Sequence, residues 1–291
     1  MKTDLIYDVG MHTGEDTDYY LKKGFRVVAI EANPHLVAGA RVRFADALAD
    51  GSLVIVDKAI AANNGIVRFA VNTVQAEWGT ISTDYARRNE AIGATSDWMD
   101  VPCTTFTSVL REHGIPYYLK IDIEGADALC IEALGAFDEK PAFVSAELTL
   151  FSFGDFFDVI AKLWCQGYRR FKIVNQALNP KTRCPNPARE GRYVDYRFGP
   201  GTSGLFGDET AGDWLSVDAV LDRARRLMRL VHLHSPSFGR LRKTRYSHWF
   251  RLLYEKLNHE PIAWYDLHAA REPSVLLPGA DGGVSVARAK K

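Results

Sequence analysis

Carboxylates recur in this chain at the ends of apolar runs. Glu31 closes Arg26-Val-Val-Ala-Ile, Asp57 closes Leu53-Val-Ile-Val, Asp122 and Glu124 follow Tyr117-Tyr-Leu-Lys120-Ile, and Glu147 closes Ala142-Phe-Val-Ser-Ala. Charged groups are costly to bury without purpose or partners. If each run is a strand of one parallel sheet, all five acids line the edge beyond the strand carboxyl ends, where open α/β sheets bind ligands. Ahead of them stands Asp8-Val-Gly10-Met-His12-Thr13-Gly14. Gly10 and Gly14 allow a sharp turn and a close approach of backbone to ligand, since neither carries a Cβ. The N–H groups opening the next helix face the same ligand. Glu31, 17 positions beyond Gly14, stands where an acid accepts hydrogen bonds from two ribose hydroxyls.

The turn reads Asp-x-Gly-x-x-x-Gly, not the Gly-x-Gly-x-x-Gly that brings a pyrophosphate close to a helix. With Asp8 placed for a cationic amino-acid moiety and no phosphate pattern, the ligand indicated is S-adenosyl-L-methionine. Its candidate contacts are Asp8, Gly10, His12, Thr13, Gly14, Glu31, Asn33 and Asp57. Asp57 is placed for an adenine amino group, or is a plain turn aspartate.

The elements that must position these residues follow from hydrophobic period. Leu5–Val9 reads as a strand, followed by a helix, the strand Arg26–Ile30, a helix to about Ala49 and a third strand from Leu53. Ile66–Val71 alternates like an edge strand, and 72–93 reads as a long loop carrying Trp78. Loops of that length are usually functional or mobile. A short strand at Val101–Phe106 and a helix near Thr107–His113 precede the strand ending at Asp122. After a helix at Ala128–Ala136, a fifth strand ends at Glu147, a helix spans Phe156–Gly167, and Arg170–Asn175 forms a sixth strand. Residues 180–212 shift to Pro, Gly and Arg. Ser216–Leu233 is an amphipathic helix with Ser216 as N-cap and Asp218 at the favourable end of its dipole. Ile262–Ala269, carrying Trp264 and His268, alternates with period two and is the last strand; in a methyltransferase sheet it would return antiparallel between the fifth and sixth.

The elements alternate as an α/β fold with a mostly parallel sheet, and with S-adenosyl-L-methionine as the ligand indicated the expected architecture is a Rossmann-like class I methyltransferase fold: seven strands, the last antiparallel, with helices on both faces. Residues 1–175 form the cofactor-binding core, 176–260 an insertion that covers the substrate, 261–271 the last core strand, and 272–291 a disordered tail.

Composition bounds the rest. The 291 residues are 47% hydrophobic and 25% charged with zero formal net charge, so there is no global electrostatic case for nucleic acid. Cys103, Cys130, Cys165 and Cys184 are widely spaced, without the pairing of a zinc ribbon or disulfide scaffold. No apolar run approaches about 18 residues, and a strand that starts beside Met1 leaves no room for a signal peptide. The expectation is a reducing cytoplasm. One local exception is the basic, aromatic stretch Arg240–Arg251. It reads as a solvated helix face with buried aromatics, or as a patch for an anionic substrate or weak contact with a membrane surface.

Lys120-Ile-Asp122-Ile-Glu124-Gly125-Ala-Asp127 resembles the Lys-Ile-Asp-x-Glu-Gly-x-Glu hallmark of the FkbM family of S-adenosylmethionine-dependent methyltransferases. Asp8–Gly14 and Glu31-Ala-Asn33-Pro34 resemble the family's earlier segments in the same order. Ser203-Gly-Leu-Phe-Gly207 and Trp264-Tyr-Asp266 also look like parts of some members. The chain departs at His12, where the family often has Asn, and at Asp127, where it usually has Glu. The resemblance implies O-methylation of a sugar or secondary-metabolite hydroxyl, the acceptor being a small molecule or glycan.

A neutral alcohol is a poor nucleophile and needs a base as the bond forms. Asp122, Glu124 or Glu147 is that base, or orients a histidine (His12 or His268) that is. Alternatively Asp122, Glu124 and Glu147 hold Mg²⁺, which lowers the hydroxyl pKa. Lys120 neutralises Asp122 or Glu147, or is a buried ion-pair partner. Trp78 and Trp264 are core residues or platforms for a sugar ring, Trp78 being the better placed; Trp78, Lys120 and Glu147 are the candidate substrate contacts. Three rivals stand beside this reading. A nicotinamide oxidoreductase would need the phosphate-type glycine turn, and the Tyr-x-x-x-Lys matches Tyr19–Lys23 and Tyr168–Lys172 sit on a cofactor helix and a strand. A base-methylating enzyme would carry Asn/Asp-Pro-Pro-Tyr where Asp122-Ile-Glu124-Gly125 stands. A non-catalytic binding protein could keep the same fold.

Overall fold

A computed structural model describes residues 1–72, 79–91, 95–148, 152–235, 239–272, 276–278 and 284–286. Trp78, expected as a substrate contact, lies outside the described residues. So does most of the tail, within which Leu276–Pro278 pairs antiparallel with Val284–Val286.

The chain begins with β1 (Lys2–Val9), α1 (Glu15–Lys22), β2 (Arg26–Ile30), α2 (Pro34–Arg43), α3 (Ala45–Ala49) and β3 (Leu53–Val56). Each turn explains its helix. Gly14, in the left-handed region at φ 87°, is the N-cap of α1, and three acids follow in the first turn, complementing the dipole. Asn33 caps α2 by accepting a hydrogen bond from the His35 N–H at 3.0 Å, with Pro34 at the first helical position, where its missing N–H costs nothing.

The next strands, β4 (Ala59–Ile60), β5 (Gly65–Asn72) and β6 (Ser96–Thr104), leave the main sheet and form a small one of their own. The edge strand expected at Ile66–Val71 thus belongs to this side sheet, pairing antiparallel with β6. Within the expected loop Thr80 bridges Ala70, and α4 (Thr83–Ala91) follows. The polar make-up of α4 hides its period in the sequence.

The chain re-enters the main sheet through α5 (Phe106–His113) and β7 (Pro116–Ile121), then α6 (Asp127–Ala133), β8 (Phe143–Glu147), α7 (Phe153–Cys165) and β9 (Tyr168–Asn175). After a long excursion come α8 (Val217–His234), α9 (Arg245–Asn258) and β10 (Tyr265–Arg271). The seven-stranded order is β3-β2-β1-β7-β8-β10-β9. All neighbours are parallel except β10, which runs antiparallel to β8 and β9. This is the Rossmann-like methyltransferase architecture expected, with its last strand between the fifth and sixth.

Side chains alternate across the strands, so one sheet feeds two cores. One face packs Leu119, Val144, Phe171 and Leu267 against α5, α6, α7 and α8; Ser216 caps α8 as expected, accepting from the Ala219 N–H. The other face packs Ile6, Tyr118 and Phe143 against α1, α2 and an irregular segment carrying Phe198, Leu205 and Phe206. Phe206 stacks on Tyr118 with centroids 4.8 Å apart. The stretch 176–260 is therefore divided between the faces, its first part lying on one and α8 on the other. Among the described residues no helix is long and apolar enough to cross a membrane, and all four cysteines are free.

Candidate active site

The turn after β1 is held backbone to backbone. Gly10 and Met11 both donate to the Ile30 carbonyl, at 2.9 and 3.1 Å, which ties the turn to the end of β2. Gly10 has φ 85°, and a Cβ there would lie 1.8 Å from the Asp122 carbonyl oxygen. No other residue fits between the exits of β1 and β7. A Cβ on Gly14 would meet the Phe44 ring at 2.5 Å. Between them His12 also takes a left-handed conformation, at φ 53°, which turns its N–H toward Glu31 Oε2 at 2.9 Å. Glu31 Oε1 accepts from the Asn33 N–H at 2.8 Å. Two peptide donors thus orient a carboxylate that is only 9% exposed, while burial pushes its pKa above the ordinary glutamate range against those donors. Thr13 is exposed beside them; its hydroxyl lies 3.2 Å from His12 Nδ1 and also bonds the Glu15 carboxylate.

Asp8 is fully enclosed. It accepts from the Thr17 hydroxyl at 2.6 Å and pairs with Lys120 Nζ at 3.0 Å. Lys120 donates in turn to the Gly10 carbonyl at 2.7 Å and stands 3.9 Å from both Asp16 and Asp122. Burial pulls the Lys120 pKa down, but Asp8, Asp122 and Asp16 outweigh it and hold the ammonium protonated. Lys120 therefore answers Asp8 first and Asp122 at longer range; among the described contacts it makes no ion pair with Glu147.

Beyond Lys120 the edge is acidic. Glu147 at the end of β8 faces Asp266 at the start of β10 as a register partner. Burial, then Glu124, Asp122, Asp127 and Asp266, raise the Glu147 pKa well above the usual range; burial and then Asp122 do the same to Asp266. Asp127 is pushed up to about 6 by burial and Asp122, and Asp16 to about 6 by burial, against the pull of Lys120. Glu124 is buried in a left-handed conformation, φ 46°, and its carbonyl accepts from the Thr80 hydroxyl at 2.6 Å. Asp122 keeps 42% of its side chain exposed, the open side of the cluster.

The remaining sequence candidates fall around this centre. Asp57 does follow β3, but it is exposed and pairs with Arg41 of α2 at 3.1 Å. His268 lies one pleat inside the edge, opposite Ser145 and Lys172, with its Nε2 unpartnered; burial and Lys172 push its pKa down to about 3, so the ring stays neutral. Trp264 is 53% exposed and donates its indole N–H to Gln176 at 3.1 Å. Among the described residues no group of three or more His, Cys, Asp or Glu side chains is arranged to hold a metal ion. Asp122, Glu124 and Glu147 thus gather without forming a ligand set, and the Mg²⁺ account finds no support in their arrangement.

Sequence reasoning overlooked Asp16 and Asp266 as site residues. Asp16 sits in the first turn of α1, where its two oxygens accept the Ser203 N–H at 3.1 and 3.0 Å. The signal available was a second acid just past Gly14 and a lone acid opening an apolar alternation.

The Methyltransferase FkbM domain family model matches residues 8–170, more than half of the chain. The chain belongs to that family. The matched span contains the Gly10 turn, Glu31 and the whole Lys120–Asp127 segment. Among solved structures the FkbM chain is similar to the methyltransferase FkbM of Methylobacillus flagellatus KT, with 16% identity over 50% of this chain and 32% of that one, at a TM-score of 0.33. It is similar also to the precorrin-6y C5,15-methyltransferase of Geobacter metallireducens GS-15, with 13% identity over 60% and 67%, TM-score 0.34. A third is the precorrin 8w decarboxylase of Methanobacterium thermoautotrophicum, with 16% identity over 60% and 69%, TM-score 0.33. The chain thus spans about a third of the length of the Methylobacillus protein. No curated protein matches it in sequence. The FkbM family implies S-adenosylmethionine as methyl donor. The residues present suit that molecule: a Gly10 turn packed too closely against Asp122 for any Cβ, a buried and oriented carboxylate at the end of β2, and more carboxylates than cations at the strand ends beside it.

Proposed function

We propose that the chain is an S-adenosylmethionine-dependent O-methyltransferase acting on a hydroxyl of a sugar, glycan or secondary metabolite. The observation that carries this reading is Glu31, buried, oriented by the His12 and Asn33 N–H groups, and joined through the Gly10 turn to the carboxylates at the ends of β7 and β8. Glu31 takes the ribose hydroxyls, the Gly10–Gly14 turn with His12 and Thr13 takes the methionine end, and Asp57 borders the adenine. When bound, S-adenosylmethionine supplies a methyl already activated on sulfur. What the protein must add is alignment of the acceptor oxygen at about 3–3.5 Å and removal of its proton. Glu147 suits the second task best: it closes β8 beside Asp122 and Asp266, and burial with its acidic neighbours raises its pKa, which makes its carboxylate a stronger base than an ordinary glutamate. Asp122, open to solvent on one side, orients the acceptor hydroxyl, with Trp78 and Trp264 as platforms for its ring. Residues 176–181, at the exit of β9 beside Trp264, form the near wall of the substrate cover. The reading sets the reaction in the cytoplasm.

The test is calorimetric titration of the purified chain with S-adenosylhomocysteine and, in parallel, with NAD. Binding of the former alone supports the reading and justifies screening sugar and natural-product hydroxyls for transfer of a labelled methyl. Binding of NAD, or of neither by folded protein, overturns it.

A further inference from the structure

Helix α9 carries apolar side chains on two of its sides. Its inner face docks on the end of α8: Ser247 is fully buried and lies 3.0 Å from His234 Nδ1, Phe250 stacks on the His234 ring at 4.0 Å, and Arg251 donates to the His234 carbonyl at 3.1 Å. The outer face is apolar and bare. Tyr246 is 66% exposed, Trp249 64%, Leu253 56% and Leu257 69%, at successive spacings of three, four and four, so they form one stripe along the helix. Leu252 widens it. Single exposed apolar residues are ordinary, but a contiguous stripe marks an interaction surface.

The charge around the stripe chooses the partner. Arg240, Arg242, Lys243 and Arg245 are all exposed in the approach to α9, whose first turn holds no acid. Cations gathered at the positive end of a helix dipole are unfavourable until something anionic faces them. A second copy of this helix would bring Glu255 alone as counter-charge. The zero net charge of the whole chain makes the basic patch a local feature of this helix.

At 14 residues the helix is about 21 Å long, too short to span a bilayer but suited to lie in its surface. We propose that α9 is an interfacial helix that seats the chain on an anionic lipid surface. Tyr246 and Trp249 lie at the headgroup level, Leu253 and Leu257 enter the acyl boundary, and the four cations face the lipid phosphates. The proposal holds whether or not methyl transfer is the activity. Residues 259–264 then lead directly from α9 to Tyr265, which enters the sheet beside Leu148 and Asn175, so the anchored helix joins the edge that carries the site.

The experiment is co-sedimentation of the full chain with vesicles of equal parts phosphatidylglycerol and phosphatidylcholine, and with phosphatidylcholine alone, at low and high salt. The expected result is binding to the anionic vesicles only, weakened by salt. Arg242→Gln and Lys243→Gln should each lower it about fivefold. Trp249→Glu with Leu253→Glu should abolish it while leaving the circular dichroism spectrum and melting temperature unchanged, since both side chains are exposed. Failure to bind anionic vesicles, or binding indifferent to the Glu substitutions, overturns the proposal. So does a dimer, detected by light scattering, that those substitutions split without any vesicle binding.

Discussion

Glu31 concentrates the residue-scale argument. Its carboxylate accepts two N–H groups, and under the proposed function it also accepts the ribose hydroxyls, so Glu31→Ala would remove that acceptor and strand the His12 and Asn33 donors. The expected loss is about 1–3 kcal/mol of S-adenosylhomocysteine affinity by calorimetry; unchanged affinity would take Glu31 away from the ribose. The raised acids make a second claim. Asp16 and Asp127 move from 3.8 to about 6, so the folded chain holds these protons more tightly than the unfolded chain. Their contribution to stability is therefore fully present below about pH 4 and declines as pH rises through 6, by about 1–3 kcal/mol per group. Asp127→Asn keeps an acceptor for the Ile123 N–H and removes the charge, so between pH 5 and pH 7 its urea-unfolding free energy should fall less than that of the parent. An equal fall would mean that Asp127 does not titrate there. The strand-end acids were legible because each closes its own apolar run. Asp16 was not, because its partner Ser203 is 187 residues away, and Asp8 could not announce that Lys120, on a strand distant in sequence, would pair with it.

At the scale of elements, legibility followed the period of the pattern. The strands and connecting helices of the main sheet are continuous or alternating apolar runs, and all took their expected places, including the antiparallel return of β10. Two strands of the side sheet were read, but not their separation from the main sheet, because the alternation of β5 and β6 does not say that they pair with each other and with the two-residue β4. The irregular segment before α8 was recognised by composition alone; what it covers depends on distant polar contacts. Chief among them is Glu209, which with Lys23 forms a pair at 2.8 Å whose side chains are both fully buried. Glu209 also accepts the Arg189 and Glu190 N–H groups at 2.9 and 3.1 Å. Glu209→Ala leaves an unpaired buried ammonium and two orphaned donors, and should destabilise the fold by about 3–5 kcal/mol in denaturant titration. Adding Lys23→Met should recover part of that loss, since the stranded charge is then gone. A loss below about 1 kcal/mol would show that the segment is not pinned through this pair.

For the whole molecule, a net charge of zero conceals two separated fields. Asp8 of β1 and Asp122 just past β7 flank Lys120, with Glu147 of β8 and Asp266 of β10 beyond them, while exposed cations gather at the start of α9. A cationic cofactor favours the ionised form of the site acids and so releases protons as it binds; affinity for S-adenosylmethionine should rise from pH 5 to pH 7. The same field acts on the acceptor. A phosphate or uronate beside the reacting hydroxyl would have to approach Asp122, Glu147 and Asp266 across a few ångströms of partly dry protein, where like charges repel by several times their interaction in water. A neutral glycoside meets no such penalty. Under the proposed activity, kcat/KM for a neutral sugar acceptor should exceed that for its phosphorylated analogue by at least about tenfold, a difference of about 1.4 kcal/mol. Raising the salt should narrow the gap, because only the charged acceptor feels the screened field. Equal rates, or a preference for the phosphorylated acceptor that salt abolishes, would mean that the acceptor enters past the basic flank of α9 and that the carboxylate edge faces the cofactor alone.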